Sequence, residues 1–531
     1  MLDLKFRSED LKNDEIEKFY VETKEDRRII DLLKTKNPTV IVGGRGVGKT
    51  FLLRMAENEL ISDFAARRIL PVYLSFTKTS LVMSDETASF HNWMLSKIAS
   101  KLCRTIKRKG LLERNSRVLD VISGGTSSGD EYKVDILVKE FEESYKNPST
   151  KIDSIGYSVD EFKDEIEDIC EELSISSISL FIDEAAHVFV PEQQRAFFSL
   201  FRDLRSPYIT CNAAVYPAVT YYGESFQKEH DATLTNVERD VLSSDYVRNM
   251  KEILVKQCDN NSTLLRAISD HSGNFNIIAY AACGNPRIML KLVAKSNGLR
   301  TTDTNKSIKD YFREEIWTEH TALAEKYEKC KALIDWGREF IETTIIPELR
   351  KKNTDKSSSS YFWIHRDSPH HVFEALRILS YSGIITLHTR AIKATRSELG
   401  HRYILNYGCL LAAEDSPCTT GNEIIRKLSI KIMPEFGRDH PSYSKLAFDV
   451  YSELTKDDIR ESLNRQLKKQ IDVLDLPCWQ IEGLKKIGIT NISDILDATE
   501  QQIQKIYQVG KARERRIRNA AFAAVYEYIS G

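Results

Sequence analysis

The stretch Pro38-Thr-Val-Ile-Val-Gly-Gly-Arg-Gly-Val-Gly-Lys-Thr50 constrains this chain more than any other. Thr39 to Val42 is a β-branched run suited to a buried strand, and Phe51 to Leu60 has helical spacing. Between them stands G-x-x-x-x-G-K-T, contributed by Gly43, Gly44, Arg45, Gly46, Val47, Gly48, Lys49 and Thr50. In a loop of this kind glycines let backbone N–H groups close round phosphates. Lys49 reaches the β and γ oxygens, the Thr50 hydroxyl is placed to ligate magnesium, and Phe51 follows on the helix whose N-terminus adds positive potential.

A phosphate loop alone only binds; hydrolysis also needs an acid to hold the metal and a group to position water. Ile178-Ser-Leu-Phe-Ile-Asp-Glu184 supplies both at the end of an apolar strand, with Asp183 for the magnesium shell and Glu184 for the attacking water. Taken alone, the same run also reads as a buried strand with a solvated acidic end. Ile69 to Phe76 and Tyr208 to Val215 are two further strands. Strands alternating with helical segments imply an α/β fold, a parallel sheet with helices on both faces.

The second acid after Asp183 resembles an AAA+ ATPase. Gly284-Asn-Pro-Arg287, opening the amphipathic run Ile288 to Val293, is similar to the sensor-2 element of the replication-initiator group, the origin-recognition and archaeal initiator ATPases with related signalling NTPases nearby. The resemblance implies a P-loop AAA+ core with a helical lid, ATP and Mg2+ as cofactors, and Arg287 on the γ-phosphate. It places sensor 1 at Asn212, with Thr210 an open alternative, and an arginine finger offered to a neighbouring subunit of a homo-oligomer at Arg239. It also lays Phe19 to Asp26 against the adenine, and no guanine-reading N-K-x-D stands in the core. The lid is expected from Ser243 to Gly298. Phe90 to Lys109 and Ser123 to Gly129 form an insertion, within about residues 80–172, to which no function is assigned.

Beyond Asn305 the alternation stops. Pro369 to Ser382 reads as a helix, Gly383 ends it, and strands Ile384–His388 and Arg402–Asn406 flank a basic stretch. This is a winged-helix pattern, and the initiator ATPases carry such a domain after the lid. In a DNA-binding version the helix enters the major groove while Arg390, Lys393, Arg396 and Arg402 on the wing touch backbone; winged helices also serve as protein-interaction modules. Near the end, Gly483 to Leu496 and Gln502 to Arg513 resemble tandem helix-hairpin-helix elements, as in the C-terminal domain of the polymerase α subunit. There Gly510, Lys511, Arg513 and Arg516 would meet DNA phosphates, with Arg515 and Arg518 on the same helix; Gln508 stands where that family usually has Gly. The expected domains are 1–240 (core), 241–304 (lid), 305–415 (winged helix), 416–470 (helical linker) and 471–531 (helix-hairpin-helix).

Composition sets the outer limits. At 531 residues, 41% hydrophobic and 29% charged, the chain is of ordinary globular make-up and long enough for several cores. Its 76 Lys and Arg against 78 Asp and Glu exclude a whole-molecule basic field, so DNA contact must be local. Nine cysteines without a C-x-x-C pair fit neither a disulfide framework nor a zinc knuckle. His370 and His371, adjacent at a helix start, read as capping residues rather than metal ligands. A charged start and the lack of any apolar run near ~18–20 residues point to the cytosol and away from membranes. The expectation is an ATPase switch coupling nucleotide state to duplex DNA. The alternative is a signalling or scaffold NTPase, for instance of a mobile element or phage defence, whose C-terminal modules bind protein.

Overall fold

The computed structural model describes residues 4–529 except 6–10, 13–14, 77–86, 112–116, 126–131, 143–155, 186–190, 218–219, 221, 224–225, 259–261, 328–329, 355, 395–396, 447–466 and 475. The chain divides into two compact units. The first comprises residues 1–239, 248–260 and 285–290; the second comprises 240–247, 261–284 and 291–531.

The first unit is built on a five-stranded sheet: β1 (Thr39–Val42), β2 (Ile69–Ser75), β3 (Ser177–Asp183), β4 (Ile209–Val215) and β5 (Thr233–Asn236). Their order is β2-β3-β4-β1-β5 and every pairing is parallel. This is an α/β core built on a parallel sheet. Period-two alternation sorts the strand residues onto two faces. Ile41, Tyr73, Phe181 and Ala214 meet α1 (Lys24–Leu33) and α2 (Lys49–Ser62) through Ile30, Leu33, Leu53 and Leu60. Val40, Val72, Leu180 and Ala213 join the cluster formed by α3 (Thr87–Arg108), α4 (Val159–Glu172) and α5 (Pro191–Asp203). The insertion therefore has a structural part: Trp93, Ile98, Leu102 and Phe162, all buried, belong to the core on this face of the sheet. Its loop residues 126–129 lie outside the described residues.

β5 was not expected from sequence. Thr-Leu-Thr-Asn carries no apolar run because this is an edge strand with a single buried residue, Thr235. Helices α6 (Tyr246–Gln257) and α7 (Pro286–Lys295) follow, with Ser262–Asp270 and Ser272–Ala281 between them; residues 248–260 and 285–290 of the expected lid belong to the first unit.

In the second unit, helical runs Thr301–Lys326 and Lys331–Lys352 each contain a π-helical segment, Tyr311–Glu315 and Phe340–Ile345. A four-stranded sheet follows, ordered β7-β8-β6-β9: β6 (Tyr361–His365), β7 (Ile385–Lys393), β8 (Leu399–Leu405) and β9 (Glu435–Phe436). α8 (His370–Tyr381) links β6 to β7. Helix, Gly383 and β7–β8 hairpin match the expected pattern, with Gly383 in the left-handed region at φ 76°. Residues 416–470 are not a plain helical linker. Pro417–Arg426 is helical, but β9 adds a strand to the sheet and Tyr443 packs on Trp336 and Phe340. Residues 447–466 of that stretch lie outside the described residues.

The C-terminal module has its own core, with Leu484, Ile489, Ile492, Ile495, Ile503, Ile506, Val509 and Ile517 joined in one cluster. It is made by α9 (Cys478–Lys486), α10 (Ile492–Asp497), a turn at Glu500–Ile503 and α11 (Lys511–Ile529).

Candidate functional site

The phosphate loop leaves β1 at Val42 and enters α2 at Lys49, with Gly46 and Gly48 at φ 82° and 107°. Only glycine adopts such angles without cost, and the loop they bend brings Lys49 back over itself. The Lys49 ammonium donates to the Gly43 and Gly44 carbonyls at 2.6 and 2.9 Å and lies 4.2 Å from the Tyr216 ring centroid. Burial, joined by the Arg287 and Arg45 charges, pushes its pKa down to about 7 against the pull of Asp183 and Glu184.

Asp183 ends β3 as expected. Its Oδ2 accepts from the Thr50 hydroxyl at 2.6 Å and from the Tyr73 hydroxyl at 2.7 Å, while Oδ1 accepts from the Glu184 N–H at 2.9 Å. Tyr73 was missed by the sequence reading: on β2 it sits two residues before Ser75, the register partner of Asp183. Burial followed by the nearby Asp183 charge raises its pKa, so it stays a donor. Glu184 holds a left-handed φ of 51°, a strained setting for a residue with a side chain and one that recurs at functional sites.

Lys49, Thr50, Asp183 and Glu184 line a cavity of about 390 Å³. Its lining combines the polar and charged Arg45, Thr50, Asp183, Glu184, Arg239 and Arg287 with the apolar Val21, Phe51, Ile253 and Leu290 and the aromatic Phe19, Tyr20 and Tyr216. Tyr20 and Phe51 stack there at 6.3 Å between centroids. Arg287 reaches the cavity because Asn285 fixes the start of α7. The Asn285 Oδ1 accepts from the Ile288 N–H at 3.3 Å as an N-cap, and its Nδ2 donates to the Arg45 carbonyl at 2.6 Å. Asn285 was quoted in the sequence motif without a role, although Asn before Pro at a helix start is itself a capping signal.

Two expected residues are corrected. Asn212 is fully buried, donates to the Leu33 carbonyl and the Ser179 hydroxyl, and stands opposite Thr39 at the N-terminal end of β1. Thr210 lies farther still from the loop. Ligands of a parallel sheet gather at the carboxyl ends of the strands, so neither faces the cavity; Tyr216, next after β4, does. Arg239 is not presented to a neighbouring subunit. Its side chain is 11% exposed, donates to the Val47 carbonyl at 2.6 Å, and lies 3.8 Å from Asp26. The Arg239 Nε has no partner and belongs to the lining of this chain's own cavity.

The candidate DNA residues divide by exposure. Arg390 and Lys393 are exposed on β7, Arg402 is half-buried against Tyr361, and Arg396 lies outside the described residues. α8, expected to enter a groove, is buried from His371 to Ser380 except at Phe373, which corrects that reading. Its N-terminus is covered by α11, where Asn519 accepts from the His370 N–H at 3.1 Å. On α11 the basic row splits. Arg515 donates to the Asp367 carbonyl and pairs with Asp439 at 2.5 Å, and Arg518 is tied to Glu514 and to carbonyls of α10 and the residue after it. Gly510, Lys511, Arg513 and Arg516 remain exposed. Among the described residues no group of three His, Cys, Asp or Glu side chains could hold a metal, and no helix is long and apolar enough to cross a membrane.

Two sequence families match parts of the chain: ORC-CDC6-like over residues 4–86, and the C-terminal domain of the bacterial RNA polymerase alpha chain over residues 458–520. No curated protein matches. Solved structures similar to it include the Aeropyrum pernix ORC1 protein in complex with DNA, at 12% identity over 76% of this chain and 94% of that one, TM-score 0.32. The Aeropyrum pernix ORC2 protein follows at 11% identity, over 77% of this chain and 97% of that one, TM-score 0.33. AMPPCP-bound DnaA from Aquifex aeolicus stands at 13% identity, over 56% and 81%, TM-score 0.24. The segment holding β1, the phosphate loop and α2 is similar to the ORC-CDC6-like family.

Proposed function

We propose that the core is an initiator-type AAA+ ATPase that binds and slowly hydrolyses ATP, and that its nucleotide state governs how the C-terminal domains engage or assemble along double-stranded DNA. The observation that carries this reading is the convergence of Lys49, Thr50, Asp183, Glu184 and Arg287 on one cavity at the carboxyl edge of the sheet. The cavity suits a nucleotide: its lining holds the phosphate loop and Lys49, the Tyr20–Phe51 stack and the orphaned Arg239 Nε. A magnesium ion fits the hard oxygens of Thr50 and Asp183, which would hold it; when bound it neutralises phosphate charge.

The chain's own groups then divide the work. Lys49 exchanges its loop carbonyls for phosphate oxygens, Tyr73 holds the Asp183 carboxylate in place, and Glu184 orients water. Arg287, set by Asn285 beside Gly46, relays phosphate occupancy to α7. Arg239 acts on the nucleotide of its own subunit. Lys511, Arg513 and Arg516, with Arg390 and Lys393, supply phosphate contacts that are salt-sensitive and independent of sequence. We place the protein in the cytosol, as a possible homo-oligomer through the core.

The burial of α8 favours a second reading, a signalling or scaffold NTPase whose C-terminal modules bind protein. Duplex affinity measured with ATP, with ADP and for Glu184→Gln across a salt series separates the two. The switch predicts different affinities in the two nucleotides, a steep salt slope, and a Glu184→Gln variant locked in the ATP behaviour. Equal, weak and salt-independent affinities would refute it.

A further inference from the structure

We infer that the C-terminal module also takes an unpaired DNA strand, with Trp479 and Tyr507 stacking on its bases. Among the described residues, the two aromatic side chains in the set of exposed large hydrophobics both stand here: Trp479 is 40% exposed and Tyr507 84%. The two aromatic residues belong to one surface. α9 packs on the second hairpin so closely that a Cβ on Gly483 would meet Ile506 at 2.4 Å, and Trp479 lies one helical turn before Gly483 on that face. Arg513 joins the parts: its guanidinium lies 5.4 Å from the Trp479 ring centroid and donates to the Gln508 carbonyl at 2.6 Å. Tyr507 precedes Gln508 at the hairpin tip.

Charge selects the partner. From 501 to 516 the surface offers Lys505, Lys511, Arg513 and Arg516, while the one carboxylate of that stretch, Glu514, is buried against Arg518. Glu482 on α9 is the exposed acid nearest in sequence to Trp479. Cations bordering exposed rings make a stacking platform with an electrostatic rim, as in proteins that hold single strands. A duplex keeps its base faces stacked on one another, so these rings have nothing to stack on until a strand is unpaired. This holds whether or not ATP governs duplex binding.

Tryptophan emission gives a direct readout. Of the five tryptophans, Trp93, Trp317, Trp336 and Trp363 are at most 4% exposed, so the iodide-quenchable emission belongs to Trp479. The full chain is titrated with a 20-nucleotide oligo-dT, an abasic strand of equal length and a 20-base-pair duplex. We expect oligo-dT to quench that emission and the abasic strand not to. Followed by the fluorescence anisotropy of labelled strands, Tyr507→Ala and Trp479→Ala should each weaken oligo-dT binding on the order of ten-fold, while leaving abasic binding and the melting temperature unchanged. Equal affinity for oligo-dT and the abasic strand, or unchanged oligo-dT affinity in both variants, would overturn the inference. The duplex arm reads the nucleotide-switch proposal separately.

Discussion

Replacing Gly46 by alanine tests the link between the phosphate loop and the start of α7. Gly46 sits at φ 82°, and a Cβ there would lie 2.7 Å from both the Arg287 Cβ and the Asn285 Oδ1. An ordinary contact begins at 3.4 Å, so the substituted methyl is about 0.7 Å too close to each. A left-handed alanine adds ~1–2 kcal/mol of backbone strain. Neither neighbour yields freely, since Asn285 is tied to the Arg45 carbonyl and caps the helix that carries Arg287. The loop and the arginine must separate, and a displacement approaching 1 Å at phosphate-binding groups costs on the order of 100-fold in a catalysed rate. We expect Gly46→Ala to bind a fluorescent ATP analogue ~10–100-fold more weakly and to lose turnover by at least as much, with the melting temperature lowered by only a few degrees. Gly44→Ala is the control, because its Cβ meets only Val47 at 3.8 Å and its φ is ordinary. Wild-type affinity and turnover in Gly46→Ala would refute the account of how Arg287 is positioned.

Other expectations concern single contacts. Lys49, with its pKa near 7, is mostly neutral at pH 8, and phosphate anions favour its charged form; ATP binding at that pH should therefore take up a proton, with affinity falling as pH rises from about 7 toward 10.5. Calorimetry in buffers of different ionisation enthalpy reads the uptake, which Lys49→Ala should abolish. Tyr73→Phe removes a buried donor from Asp183 and should lower turnover ~10-fold with little change in fold, as steady-state kinetics would show. Arg515→Glu sets like charges against Asp439 and removes a donor from the Asp367 carbonyl. Small-angle scattering should show a larger radius of gyration, restored by Asp439→Arg. Gln508→Gly relieves a left-handed φ of 62° and should raise stability by ~0.5–1 kcal/mol in urea unfolding.

What the sequence made legible was local. The phosphate loop, the Asp183–Glu184 strand end and the Asn-Pro-Arg helix start are contiguous patterns whose chemistry needs no partner to be read. Four of the five core strands and helix α2 followed from the same kind of run. Residues that matter through register were missed: Tyr73 enters the site because β2 pairs in parallel with β3, and Tyr216 because β4 ends beside β1. The same ignorance of register put sensor 1 at Asn212, since a polar residue inside an apolar run gives no sign of which end of the strand holds the ligand. β6 was overlooked because the serine run before it reads as loop, although Tyr361 to His365 are all buried. The inward turn of Arg515 and Arg518 depends on Asp439 and on carbonyls of α10, which no helix pattern reveals.

ATP turnover by the full chain, with and without duplex DNA at low and high salt and beside Lys49→Ala, tests the central claim most directly. The account predicts slow turnover that duplex raises, stimulation that fades with salt, and no activity in the variant. Turnover indifferent to duplex at every salt concentration would contradict it.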